Sequence, residues 1–156
     1  MKNALQGSGS SSLERHARLL LKSYKHWTGL DLIPLEPERS ALHQLEEAPL
    51  AVLSHGTEED PVLNYGNRMA RQLWEMEWEQ FTAMPSRLTA EPLERKERER
   101  FFELVTKNGW VGDYTGVRIS STGKRFSILK ATVWNLLDEE GNYYGQAAAF
   151  SDYRYL

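Results

Sequence analysis

The last third of the chain contains three strand-like stretches separated by two tight turns, and this feature limits the fold more than any other. The stretches are predicted over residues 110–120, 125–137 and 143–153, and apolar and polar residues alternate along the first of them. Residues 121–124 and 138–142 combine glycine with Ser, Thr, Asp or Asn, which are typical of hairpin turns. Strands joined in this way predict an antiparallel meander.

Two shorter strand-like runs, residues 50–55 and 61–65, flank an acidic turn and predict a second antiparallel pair. The intervening region contains three helical patterns, over residues 68–74, 78–84 and 91–107. Asn67 is placed to cap the first, Pro85 to end the second and Asn108-Gly109 to end the third. The whole order predicts an α+β fold, an antiparallel sheet with short helices on one face.

The first 47 residues are predicted to be an extension of this domain. Residues 1–12 are rich in Gly and Ser and are expected to be flexible, because they offer little apolar surface to bury. Residues 13–47 are expected to form a helical extension, with a second short helix running from Pro37 to Glu47, and residues 48–156 the main domain. The first helix carries an apolar stripe at helical spacing, formed by Leu13, Ala17, Leu20, Leu21, Tyr24 and Trp27.

Composition excludes several classes of protein. The chain has 156 residues, no cysteine and a formal net charge of −3. Disulfide frameworks, thiolate zinc sites and cysteine nucleophiles are therefore excluded. No apolar run is long enough to span a bilayer, no signal peptide is recognisable, and no basic patch indicates nucleic acid or an anionic membrane as a partner. We expect a cytoplasmic protein.

Three blocks of sequence resemble known families: the first resembles the opening of a PAS domain, and the other two resemble the MEKHLA-domain family, which is PAS-like. The first runs Ala48-Pro-Leu-Ala-Val-Leu-Ser-His55 and continues with Asp60-Pro-Val-Leu-Asn-Tyr-Gly-Asn67. The second is Trp78-Glu-Gln-Phe-Thr-Ala-Met-Pro-Ser-Arg-Leu-Thr-Ala90, and the third joins residues 116–126 to Ala131-Thr-Val-Trp-Asn-Leu-Leu-Asp138. The resemblance covers about residues 13–155 and is closest to bacterial members that stand alone, although the string that names the family is absent.

The resemblance implies a PAS-like fold, in which a five-stranded antiparallel sheet of order 2-1-5-4-3 cups a helical layer. PAS cups in other proteins hold haem, flavin or small metabolites. Haem of the oxygen-sensing type would need a histidine on the late helix, and residues 91–107 contain none. Flavin photochemistry through a cysteine adduct is excluded by the absence of cysteine. No cofactor is predicted, and a non-covalent small ligand is the remaining option.

Residues on the last strands form the candidate pocket. Three consecutive alanines, residues 147–149, either allow a helix to approach closely or leave a cavity. Gln146 lies where flavin-binding relatives place a ring-contacting glutamine, but a simple cross-strand hydrogen bond explains such a residue as well. The candidate pocket residues are Tyr114, Trp134, Asn135, Gln146 and Ala148.

Catalytic and metal-binding patterns are weak. The four histidines are dispersed, so no metal site is predicted. Ser54 and His55 are neighbours in a strand and should face opposite sides, which excludes a nucleophile and base pair. The mixed charges of residues 94–100, which pair at i, i+4, are interpreted as a solvated helix face.

Two functions follow as hypotheses. The first is a non-enzymatic sensory or interaction module that binds a small ligand in the cup and forms a homodimer through the stripe of the first helix, although packing of that stripe on its own sheet is an equal alternative. The second is a small enzyme that uses the cup as its active site, for which Asp113 is the available carboxylate. An exposed Asp113 would contradict that version of the second hypothesis.

Overall fold

The computed structural model describes residues 10–156, without the side chains of residues 10 and 92–94. The helices are α1 (Ser10–Thr28), α2 (Ala41–Glu46), α3 (Arg68–Trp74), α4 (Trp78–Phe81) and α5 (Pro92–Asn108), with a 3₁₀ turn at Ser86–Thr89. The strands are β1 (Ala51–His55), β2 (Leu63–Gly66), β3 (Trp110–Ile119), β4 (Arg125–Leu137), β5 (Tyr143–Phe150) and β6 (Asp152–Tyr155).

The strands form one antiparallel sheet of order β2-β1-β5-β4-β3, as predicted. The long strand β4 has two partners on the same edge. Its second half, Thr132–Leu137, pairs with β5, and its first half, Phe126–Leu129, pairs with β6. The predicted last strand is therefore divided in two at Ser151. The predicted α+β fold is confirmed.

One face of the sheet, which we call the outer face, is covered by α1 and α2. Leu20 of α1 and Leu45 of α2 are fully buried there, together with Trp134 and Leu136 of β4. The Trp134 indole N–H donates to the Leu20 carbonyl at 3.2 Å, and Tyr24 stacks edge-on against the Trp134 ring. The helical extension is thus part of the folded core.

The opposite face of the sheet curves around α3, α4 and α5, and we call the space it encloses the cup. Trp74 at the end of α3 is the centre of its core, with ring edges against Phe81, Phe126 and Phe150. All four side chains are almost fully buried. The sheet therefore separates two apolar cores.

Several predicted boundaries shift. Helix α1 begins at Ser10, so residues 10–12 of the expected flexible segment are helical, and residues 1–9 lie outside the described residues. Helix α2 begins at Ala41 and not at Pro37, because Ser40 caps it through the His43 N–H. Asn67 caps α3 as predicted. No helix among residues 10–156 has the length and apolar character needed to cross a membrane.

Candidate ligand-binding cup

Two adjoining spaces open between α5 and the cup face of the sheet. The inner cavity measures about 40 Å³ and lies against Trp74, Val133 and Ala148. The outer groove measures about 420 Å³ and is open to solvent along α5. Five residues line both spaces: His55, Ser86, Arg98, Phe102 and Gln146. A molecule that entered the groove would therefore meet the inner cavity through these side chains.

Arg98 is the most unusual of the shared residues. It lies on α5, its side chain is only 6% exposed, and its guanidinium donates to the Ser86 hydroxyl and lies 4.5 Å from the centre of the Phe102 ring. Burial and, to a smaller extent, the nearby Arg118 cation together lower the pKa of the Arg98 guanidinium to about 9. The helix face that the sequence analysis interpreted as solvated therefore has one cation pointing inward, and that interpretation is wrong for Arg98.

Arg118 of β3 lines the same inner cavity and is only 5% exposed. Its guanidinium donates to the Val117 carbonyl at 2.9 Å and to the Tyr114 hydroxyl at 3.1 Å. Among the side chains that the structure describes, no carboxylate comes within 4.0 Å of either guanidinium. The cup thus contains two buried cations that face one small cavity.

His55 adds a third polar group to the wall of the cup. Its Nδ1 lies 2.9 Å from the Gly56 carbonyl, an acceptor only, so Nδ1 carries the proton in the neutral ring. Burial lowers the pKa of His55, and the neighbouring Arg98 cation acts in the same direction. The imidazole is therefore neutral at neutral pH and adds no further positive charge.

Gln146 and Asn135 join the end of α5 to the sheet. The Gln146 amide donates to the Thr106 hydroxyl at 2.7 Å and to Asn135 Oδ1 across the strands at 3.1 Å. The Asn135 amide donates to the carbonyls of Val105 and Thr106 at the last turn of α5. These two residues hold the helix that forms one wall of the cup, which is the cross-strand role that the sequence analysis left open for Gln146.

The candidate pocket residues divide into two groups. Tyr114, Gln146 and Ala148 line the inner cavity. Trp134 does not, because it packs under α1 on the outer face, opposite Ala147 of β5. Asn135 is beside it in β4 and points to the cup side, as neighbours in a strand must alternate, but its contacts are with α5. Placing Trp134 in the pocket was wrong.

The alanine run serves both of the predicted purposes. Ala147 and Ala149 belong to the outer core beneath α1, and Ala148 faces the cavity. Asp113 is exposed and has a positive φ of 60°, so it does not reach the cup. The enzyme hypothesis that depends on Asp113 therefore fails.

The stripe of α1 packs against the outer face of its own sheet. Ala17, Leu20 and Leu21 are buried there, and the remaining members are partly buried against the same core. Those remaining members are Leu13, Tyr24 and Trp27. The Trp27 indole N–H donates to the Asn135 carbonyl at 3.0 Å, which fixes the end of the helix. Of the two alternatives for the stripe, the structure has packing within one chain.

Sequence reasoning missed Arg98, Arg118 and His55 as lining residues. Arg98 lies in a run of alternating charges whose helical pairing favours a solvent-facing interpretation. The available signal was its position in the helix, since Arg98 lies one turn before Phe102 and shares its face. His55 was considered as a metal ligand and as a partner of Ser54, and not as a lining residue. The structure places Ser54 and His55 on opposite faces: Ser54 contacts His16 of α1, and His55 contacts Phe102 of α5.

The strand order β2-β1-β5-β4-β3, with helices enclosed by one face, defines a PAS-like domain. Solved structures of this class are similar to the chain. A PAS domain of a protein from Colwellia psychrerythraea matches with a TM-score of 0.64 and 11% identity, over 78% of this chain and 98% of that one. The LOV domain of the blue-light photoreceptor Aureochrome1 in its dark state matches with a TM-score of 0.56 and 19% identity, over 77% of this chain and 87% of that one.

The model of the MEKHLA domain matches residues 14–155, and the chain belongs to this family. The match includes α1 from its second turn, in keeping with the packing of that helix on the sheet. Among curated proteins, none matches the chain.

A flavin does not fit the inner cavity. A further similar structure is a light-oxygen-voltage domain described with a flavin analogue, at a TM-score of 0.59 and 13% identity over 76% of this chain and 86% of that one. The inner cavity of about 40 Å³, whose walls include Phe102, Arg98 and Arg118, is far below the roughly 300 Å³ that cofactor pockets need. The residues present are suited to a much smaller molecule.

Proposed function

We propose that the chain is a PAS-like sensory or interaction module that binds a small molecule in the cup between α5 and the sheet. The fold is that of PAS and LOV sensory domains. The observation that carries the proposal is the pairing of a small inner cavity with a larger solvent-open groove, joined by shared polar side chains. Small-molecule sites combine apolar walls with a few convergent polar groups in this way.

The same geometry suggests how binding would be transmitted. Helix α5 is held to the sheet by Gln146, Asn135 and the ring contacts of Phe102, all of which lie at or beside the two spaces. A ligand that contacts these groups shifts α5 relative to β4 and β5, because it changes the contacts that position the helix. The outer-face helix α1 contacts the same strands from the other side.

A compound screen with a cavity-filling variant tests the proposal. Ligands are expected to raise the melting temperature of the wild type, and Ala148→Met should abolish the effect by filling the inner cavity. Ala83→Met is the matched control, because Ala83 is exposed and lines neither space. The proposal is contradicted if no compound binds, or if binding is equal in wild type and in Ala148→Met.

Two expectations from the sequence remain predictions. The homodimer through α1 would need this helix to be exchanged between two copies, because its stripe is already covered by its own sheet. A cytoplasmic location is expected from the sequence and awaits a localisation experiment.

A further inference from the structure

We propose that the inner cavity recognises a single carboxylate, held between Arg98 and Arg118, on a small ligand whose remaining atoms are neutral or cationic. The inference rests on the proposed function, since it specifies the chemistry of a ligand bound in the same cup. Its basis is the two arginines, the size of the cavity and the charge of the rim.

The two guanidinium groups lack a balancing charge among the described side chains. A buried cation is costly unless it is paired, and arginine keeps its proton under nearly all conditions in proteins. Here two such cations line one cavity, and their mutual repulsion adds to the cost. An anion placed between them removes both penalties and gains charge-assisted hydrogen bonds.

Arg98 also has donors to offer. Of the five N–H groups of its guanidinium, one is bonded to the described protein, through the Ser86 hydroxyl. Arg98 lines both the inner cavity and the outer groove. Its guanidinium therefore lies beside the space that a ligand would occupy.

The size of the cavity favours a carboxylate over a larger anion. A volume of about 40 Å³ corresponds to about three water positions at about 10–15 Å³ each. A carboxylate group has three heavy atoms and matches this space, whereas a phosphate group is bulkier. Planar carboxylates also match the fork of a guanidinium through two parallel hydrogen bonds.

The rim of the groove sets the charge of the rest of the ligand. Glu59, Glu99 and Glu103 line the groove together with Asp60. Among the side chains that the structure describes, Asp60 is the one of these four that pairs with an arginine, Arg87. A second negative charge on the ligand would meet these carboxylates, and an ammonium group would be attracted to them. Acetate has the required carboxylate, and glycine has the carboxylate together with an ammonium group.

Glu94 is the residue that must be controlled for. It lies one helical turn before Arg98 in the sequence, and its side chain is outside the described residues. If Glu94 were the counter-ion of Arg98, Glu94→Gln would unmask carboxylate binding that the wild type lacks. The proposal predicts instead that Glu94→Gln and wild type bind carboxylates alike.

In the experiment, the full chain is titrated with acetate and with glycine. Methylammonium, phosphate and chloride are the comparison compounds. Binding is measured by the shift in melting temperature and by the NMR signals of the arginine Nε–H groups. Saturable binding is expected for acetate and glycine, with selective shifts of the Arg98 and Arg118 signals. Affinity should fall at least about tenfold in Arg98→Gln and in Arg118→Gln. The matched control is Arg100→Gln, an exposed arginine of the same helix, which should bind as the wild type does.

The outcomes separate this inference from the proposed function. Carboxylate binding that is unchanged in Arg98→Gln, or that appears only in Glu94→Gln, overturns the inference. A neutral or cationic compound that binds in the cup while acetate and glycine do not also overturns it and leaves the proposed function standing. Failure of these compounds to bind overturns the inference alone, and failure of every compound in the screen described above overturns the proposed function as well. If Arg98→Gln does not fold, Arg98→Lys, which keeps the charge but loses the fork, supplies the same comparison.

Discussion

Asn67 joins three elements of the fold through one buried side chain. Its side chain is fully buried, and its Oδ1 accepts from the N–H groups of Val52 at 3.0 Å and Ala70 at 3.2 Å. Its amide donates to the carbonyls of Leu45 at 3.0 Å and Leu50 at 2.8 Å. One side chain thus joins the end of α2, the start of β1 and the first turn of α3.

Replacing Asn67 by Ala should lower the free energy of unfolding by about 2–4 kcal/mol, because a helix cap is lost and several buried backbone groups lose their partner. Urea unfolding of the two proteins measures the difference. Asn142→Ala is the control, since Asn142 is exposed in a hairpin turn, and it should change stability by less than about 0.5 kcal/mol. Equal effects of the two substitutions would contradict the account of Asn67.

His16 makes the stability of the protein depend on pH. It lies on α1 against the sheet, where its Nε2 is 2.9 Å from the Ser54 hydroxyl and its Nδ1 is 3.4 Å from the Tyr144 hydroxyl. Ser54 donates to Asn64 Oδ1, so the neutral ring donates from Nε2 and accepts at Nδ1. Burial lowers the pKa of His16 from 6.5 to about 4, and the Arg15 cation acts in the same direction.

The unfolded chain therefore binds a proton at His16 before the folded chain does. Stability should be full above pH 6.5 and should fall as the pH is lowered towards 4, by up to about 3 kcal/mol from this residue. His55 contributes in the same direction, so the test compares wild type with His16→Gln. The variant should show a shallower loss of unfolding free energy across this range. His43 is exposed, so His43→Gln should lose unfolding free energy with pH as the wild type does. If His16→Gln showed the same pH dependence as the wild type, His16 would not be the source of the effect.

Among the elements, α2 and α3 are joined by a buried ion pair. Arg71 Nη2 lies 2.6 Å from Glu46 Oε2, and the two side chains are 13% and 7% exposed. Arg71 also donates to the Gly66 carbonyl at 2.6 Å. The pair ties the helix beneath the outer face to the helix that begins the cup.

Arg71→Met should destabilise the protein by about 3–5 kcal/mol, because it leaves the Glu46 carboxylate buried without its cation. The double variant Glu46→Met with Arg71→Met should recover most of that loss. The exposed pair of Arg39 and Glu36 provides the comparison, and Arg39→Met should cost less than about 1 kcal/mol. Chemical denaturation of all three variants measures their free energies of unfolding. A double variant no more stable than Arg71→Met would contradict the explanation that an unpaired buried carboxylate causes the loss.

Helix α1 should stay on its own chain. Arg15 of α1 pairs with Glu139 of the β4–β5 turn at 2.6 Å, and both side chains are more than half exposed. The chain contains no cysteine, so Arg15→Cys with Glu139→Cys gives two thiols. A short bis-maleimide should produce an internally cross-linked monomer.

A cross-linked dimer in denaturing electrophoresis would contradict packing within one chain and would support exchange of α1 between copies. The control variant combines Arg15→Cys with Glu97→Cys. Because Glu97 lies on α5, on the other side of the sheet, the short reagent should not join these two positions within one chain.

The elements were largely predictable because their signals are local. The apolar stripe of α1, the cap at Asn67 and the glycine at residue 109, with a φ of +99°, each specify a helix or its end within a few residues. The division between β5 and β6 was not predictable, since it depends on a change of pairing along β4. Neither was the exact start of α2, where Glu14 of α1 accepts from the Ala41 N–H at 2.9 Å.

At the scale of the whole molecule, the sheet separates an outer core from the cup, and this division decided which site residues could be predicted. Strand position places Tyr114, Gln146 and Ala148 beside the inner cavity, and their contact with a ligand stays a prediction. Trp134 was not, because nothing local says that α1 covers the face to which it points. Arg98 was missed because its side chain points inward from α5 only as a result of the packing of that helix against the sheet.

The central claim is that the cup holds a small molecule, and native mass spectrometry of freshly purified full-length protein tests it most directly. The mass of the gently ionised protein is compared with that of the denatured chain, before and after addition of glycine or acetate. We predict an excess mass that is lost on denaturation and that is absent from Ala148→Met. A protein that shows only the mass of its own chain under all of these conditions would contradict the claim.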